Sequence, residues 1–154
     1  EDSVPTACKE EARKNIYEFV HSVDNKQKLF VRVNSIDSGL LSRDLEFVLA
    51  PRVFGLMPSM VRDELDIVYF DKLLTQLEYE KGFEQGYFKL CPLIETGSAL
   101  MKTCEIARAS SRVVGLAFGA EDYVTDLDGL HKHNGTSILT ARSMVVMAAR
   151  SLKI

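Results

Sequence analysis

Four short apolar stretches of this 154-residue chain end in polar groups suited to an ion or an anion. The first closes in Arg32-Val33-Asn34 and the second in Met57-Pro58-Ser59. The third closes in Glu95-Thr96-Gly97 and the fourth in Gly119-Ala120-Glu121-Asp122. Glu95 and Asp122, on neighbouring stretches, offer hard oxygen to a divalent cation. Mg²⁺ takes one or two protein carboxylates and completes its octahedron with water and substrate oxygens. The guanidinium of Arg32 would fork onto a substrate carboxylate or phosphate. The same residue types also serve plainer ends. Glu95 or Asp122 would equally cap a helix or meet water, and Arg32, between Val31 and Val33, would equally form a salt bridge inside a rim.

These endings act together only if one edge of the fold gathers them. Apolar spacing predicts helices over 9–21, 42–50, 61–80, 98–109 and 136–152. Strands are predicted over 28–33, 53–57, 88–94 and 113–118, with Pro92 removing a ladder donor from the third. Ala12, Ile16, Phe19 and Val23 would face inward from the first helix. Val61, Leu65, Val68, Phe70, Leu74 and Leu77 would do so from the third, and Leu100, Cys104 and Ala107 from the fourth. Ile138, Ala141, Val145, Ala148 and Leu152 would line the last. Residues 123–135 read as a surface loop. Strict alternation of helix and strand predicts an α/β fold, a parallel sheet covered by helices. In such folds ligands bind at the carboxyl ends of the strands, where the four endings lie.

Composition narrows the field. The chain is 46% hydrophobic and 27% charged with net charge −3, which carries no electrostatic footprint for nucleic acid. No apolar run approaches the roughly 20 residues of a membrane span. The charged start, Glu1-Asp2, is unlike a secretion signal. Cys8, Cys91 and Cys104 lack the short spacing of a zinc site and point to a reduced, cytoplasmic setting. Cys91 and Cys104 are expected in the core, Asp37 in a turn, and His131 and His133 on a solvated loop.

At these residues the chain resembles the citrate lyase beta subunit and its relatives, the malyl-CoA and citramalyl-CoA lyases. The resemblance runs through "EDSV" with "KEEAR", "VRVNSIDSG" with Asp44-Leu45, "PLIETGSAL", "GLAFGAEDYVTDL" and "TARSMVVMAARS", in order. It implies a TIM (β/α)8 barrel that binds Mg²⁺ and cleaves a carbon–carbon bond in a hydroxy-dicarboxyl acyl-CoA. It further implies Glu95 and Asp122 as metal ligands, Arg32 as the catalytic and substrate-binding cation, and Glu95 as a contact to substrate. The substrate would be a CoA thioester or keto acid. The protein would form a homo-oligomer or join the citrate lyase complex, with no nucleic acid or membrane partner.

A full barrel needs eight strands and about 250 residues. Residues 1–154 are therefore expected to be a single incomplete barrel domain of about four parallel strands, a fragment that by resemblance begins at the end of the second barrel strand and lacks the first strand and the last two. The family pattern has lysine after the proline of the second strand, where this chain has Ser59. Arg52 and Arg62 are candidates to replace that cation. An acyl-CoA thioesterase or synthase of the same family, an inactive truncated relative, and a small flavodoxin-like domain are the alternatives.

Overall fold

The computed structural model describes residues 4–22, 27–130 and 134–154. Strands β1 (Leu29–Val33), β2 (Val53–Pro58), β3 (Lys89–Leu90), β4 (Leu93–Ile94) and β5 (Ala117–Phe118) alternate with helices. The helices are α1 (Lys9–Ser22), α2 (Leu41–Val48), α3 (Glu64–Lys81), α4 (Gly97–Met101), α5 (Thr103–Arg108), α6 (Ala120–Asp126) and α7 (Leu139–Ser151). Every strand pairing is parallel, as alternation predicts. β1 pairs with β2 and β2 with β3, while β4 pairs with β5.

The predicted third strand is split in two. Pro92 has no N–H to give to a ladder, so β3 ends at Leu90 and β4 resumes at Leu93. The surrounding bonds nonetheless carry the sheet across the break. The Cys91 N–H donates to the Leu56 carbonyl at 2.9 Å, and that of Ala117 to the Pro92 carbonyl at 2.9 Å. Val113 bridges Leu90, so the fourth strand is shorter than the predicted 113–118.

Along β1, Val31 and Val33 are buried while Phe30 and Arg32 are half-buried. Alternate residues of a strand point to opposite faces. One face therefore packs under the helices, and the other carries Phe30 and Arg32. On the helix side, Leu45, Leu56, Ile67, Leu74, Leu90 and Ile106 are all fully buried.

α3 shows how local chemistry sets an element's limits. The Asp63 side chain caps it by accepting the Leu65 N–H at 3.1 Å, and acidic residues fill its first turn. Gly82, at φ 75°, ends it in the left-handed conformation.

Several sequence expectations are corrected. α1 turns Lys9, Arg13 and Val20 inward, and Phe19 is 49% exposed. Val23 lies outside the described residues. Leu65 of α3 is exposed, because Ile67, Phe70, Leu74 and Glu78 form the buried stripe. Cys91 and Cys104 are half-buried rather than core. The predicted fourth helix breaks at Lys102, next to Thr103, whose hydroxyl donates to the Leu100 carbonyl at 2.7 Å. The predicted loop begins as helix α6. The last helix buries Ala141, Val145 and Ala148 as its spacing predicts.

Candidate metal centre

Glu95 follows β4 directly and is 3% exposed, a carboxylate taken almost wholly from water. Burial of such a group requires compensating donors or cations. One donor comes from the corner after β2, where the Met60 N–H donates to Glu95 Oε2 at 2.7 Å. The opposite side is closed by Gly119, which follows β5. A Cβ there would lie 2.5 Å from Glu95 Cγ and 2.7 Å from Oε1. Glycine at 119 is thus a steric requirement: the backbone passes where only hydrogen fits beside the carboxylate.

Glu121 and Asp122 occupy the first turn of α6, both exposed, immediately beyond Gly119. Ile94 pairs with Phe118, so Glu95 and the Gly119–Asp122 turn leave adjacent strands at the same end. The fold brings these two predicted positions to one rim. The first-turn position also suits the helix dipole, so the plainer role of Asp122 is met as well. Arg32 lies on β1 opposite Met57 of β2, half-buried on the face away from Val31 and Val33. It is two strands from Glu95, with the β2 corner between them. Among the described residues, no three His, Cys, Asp or Glu side chains converge as a metal cluster. What the rim offers is a buried carboxylate, Glu95, and exposed carboxylates at Glu121 and Asp122 on the neighbouring strand's turn.

A family model described as HpcH/HpaI aldolase/citrate lyase matches residues 1–154. The chain belongs to the HpcH/HpaI aldolase/citrate lyase family. It is 34% identical over 155 residues to the citrate lyase subunit beta of Escherichia coli strain K12, covering 100% of this chain and 51% of that protein. It is 33% identical to the human mitochondrial citramalyl-CoA lyase, covering 98% of this chain and 47% of that one. The chain thus spans about half the length of the curated relatives it matches. Among solved structures it resembles the citrate lyase beta subunit of M. tuberculosis complexed with oxaloacetate and magnesium. That likeness has TM-score 0.75 at 23% identity and covers 98% of this chain and 61% of that one. The fold is therefore part of the barrel-like α/β architecture of the citrate lyase family.

The rim around the candidate site is completed by the corner after β2 and the turn after β1. Ser59, which stands where the family pattern has lysine, is buried, and its Oγ donates to the Val33 carbonyl at 3.0 Å. Arg62 does not stand open as a substitute cation. Its Nε and one terminal nitrogen grip Asp66 at 3.0 and 2.7 Å, and the other reaches Asp37 at 2.5 Å. Burial opposes the charge of Asp66, but this grip holds its carboxyl below the usual carboxylate range. Arg52 precedes β2 and so sits at the opposite end of the sheet. Asp37 lies in a short 3-10 turn, as expected of a turn residue. A cavity of about 210 Å³ opens beside the corner, lined by Ser35, Asp37, Ser59, Met60, Arg62 and Phe70 among others.

A second buried network braces the end of β1. Asp44, fully buried, accepts the Asn34 backbone N–H at 3.0 Å and the Asn34 amide at 2.6 Å. Arg13 pairs with Asp44 at 2.9 Å, and Lys9 Nζ donates to Asn34 Oδ1 at 2.8 Å. Lys9 and Arg13 sit one helical turn apart, the only sequence signal of a shared face. Glu1, Asp2, His131 and His133 lie outside the described residues.

Proposed function

We propose that the protein is a Mg²⁺-dependent carbon–carbon lyase. Its substrate class is a hydroxy-dicarboxyl acyl-CoA of the citryl-, malyl- or citramalyl-CoA type, and its products are an acyl-CoA and a keto acid. The observation that carries this reading is the Glu95 carboxylate, buried at a strand tip yet held in one orientation by Met60 and Gly119. In this reading residues 1–154 form part of one (β/α)8 barrel whose first strand and last two lie outside them. The setting is the cytoplasm, with a homo-oligomer or the citrate lyase complex as the assembly.

Glu95 and Asp122 would hold the Mg²⁺, with water and substrate oxygens completing its shell. The ion would supply Lewis-acid polarisation of the substrate's hydroxyl and carboxylate oxygens. Arg32, from the half-buried face of β1, would bind the carboxylate of the dicarboxyl portion by a two-pronged contact. The substrate hydroxyl loses its proton and becomes the keto-acid carbonyl as the adjacent carbon–carbon bond breaks. The electron pair of that bond passes to the thioester as an enolate, which takes up a proton to give the acyl-CoA. Fixed cationic and N–H groups stabilise such developing charge without reorganising.

The test is turnover and Mg²⁺ affinity of the whole protein with Glu95→Ala and Asp122→Ala. Each variant should weaken Mg²⁺ binding by at least roughly 10–100-fold, the loss seen even for groups that only support a ligand. Unchanged affinity and turnover in both would remove the site assignment. Release of free CoA without keto acid would shift the chemistry to thioester hydrolysis.

A further inference from the structure

Met60 has φ 50°, in the left-handed region that side-chain-bearing residues seldom occupy. Its own side chain does not explain this, since Met60 is 45% exposed. Its neighbours do anchor the corner. Val61 is 1% exposed, and buried Ser59 is tied through its hydroxyl to the last carbonyl of β1. What the left-handed turn accomplishes is to aim the Met60 N–H at Glu95 Oε2 from the neighbouring strand. Gly119 confines the same carboxylate from the other side. Backbone outliers that the surroundings enforce are characteristic of sites where geometry is set in advance.

We infer that Met60 is a positioning residue: its left-handed backbone orients the Glu95 carboxylate for a divalent cation before the cation arrives. This rests on the metal reading of Glu95. A carboxylate with its rotamer already fixed loses no further freedom on binding, so the corner should raise cation affinity through Glu95 without touching the ion.

The experiment compares wild type, Met60→Gly and Met60→Val, with Mn²⁺ as the probe. Free Mn²⁺ is counted by electron paramagnetic resonance, and the residue-60 amide proton is followed by NMR. Glycine keeps the N–H and accepts φ near 50°, whereas a β-branched residue resists it. Met60→Gly should bind Mn²⁺ within about twofold of wild type. Met60→Val should bind roughly tenfold more weakly, the lower end of the loss for a supporting group. Its residue-60 amide should also lose the low-field position of a short bond to a carboxylate. A purely structural corner would change melting temperature alone, and equal Mn²⁺ affinity in all three proteins overturns the inference. If wild type binds no Mn²⁺, the metal reading of Glu95 fails. The inference about Met60 then falls with it, whereas wild-type binding that both variants match sinks the inference alone.

Discussion

Gly119 is the residue at which the candidate site is least tolerant. A methyl group there would meet three atoms of the Glu95 side chain at 2.5 to 3.0 Å. The carboxylate would have to swing away, because backbone on both sides of Gly119 is tied down. Its own N–H donates to the Ile94 carbonyl at 3.0 Å, and its carbonyl accepts from Tyr123 at 3.1 Å. Gly119→Ala is therefore expected to cost about 1–3 kcal/mol of stability, the range for forced overpacking. It should also weaken Mg²⁺ binding at least as far as Met60→Val does. Denaturant melts and a Mg²⁺ titration of the purified variant measure both. A variant that binds Mg²⁺ like wild type would show that Glu95 does not need its present position.

Among the elements, α3 and the segment before β5 are locked by a buried ionic pair. Glu78, 1% exposed at its side chain, takes two contacts from Arg112 at 2.6 and 2.7 Å. It also accepts the N–H groups of Gly86 and Phe88 at 2.8 and 2.9 Å. Burial works against its charge, but Arg112 and the two N–H groups prevail and hold its carboxyl below the usual range. A carboxylate depressed in the folded state stabilises the fold above its unfolded pKa, about 4.3 for glutamate. That contribution disappears as pH falls through the lower folded value. Glu78→Gln should then cost roughly 1.5–3 kcal/mol near neutral pH, because it weakens the charged contacts to Arg112 while Arg112 keeps its ion pair with Asp71. The variant's stability should also fall less steeply than wild type's below about pH 4. Parallel pH profiles would show that the pair contributes nothing to acid sensitivity.

The elements also show what a residue pattern can and cannot say. α7 was legible because Ala141, Val145 and Ala148 recur at helical spacing and nothing competes for that face. The order of strands was legible for the same reason, and so was the trouble at Pro92. α1 was misread because its inner face is charged. Lys9 and Arg13 are buried only because Asn34 and Asp44 await them 25 and 31 residues away. No local pattern reports such partners. At the candidate site, Arg32, Glu95 and Asp122 stood out as charges after apolar runs, and the rim that brings their strands together followed from alternation. Met60 did not stand out, and Ser59 stood out only as a strand ending and as a departure from the family's lysine. A methionine gives no sign of left-handed backbone, and a serine gives no sign that its hydroxyl will bridge two strands.

Across the molecule, the two buried ionic networks occupy opposite ends of the sheet. Arg112 and Glu78 close the amino end, around Phe88 at the start of β3. Lys9, Arg13, Asn34 and Asp44 brace the carboxyl end of β1, beside Arg32. In barrel folds the carboxyl end carries chemistry and the amino end carries stability. Both ends here are ionic, so that division does not follow polarity. It follows what each network supports: one a strand entrance, the other the rim of the candidate site.

The charged inner face of α1 has a consequence for the order in which the chain acquires its structure. Lys9 and Arg13 have nothing to gain from early collapse, because an apolar cluster solvates a cation poorly. They are rewarded only once β1 and α2 have set Asn34 and Asp44 side by side. α1 should therefore dock after the rate-limiting barrier to folding. Arg13→Met should speed unfolding in stopped-flow chevrons and leave the refolding rate nearly unchanged, a φ-value near zero. Val33→Ala in β1 should slow refolding, and a slowed refolding limb in Arg13→Met would place α1 in the nucleus instead. If α1 docks last, it is also the first element to leave. The end of the chain that braces Arg32 would then open many times for each time the sheet unfolds.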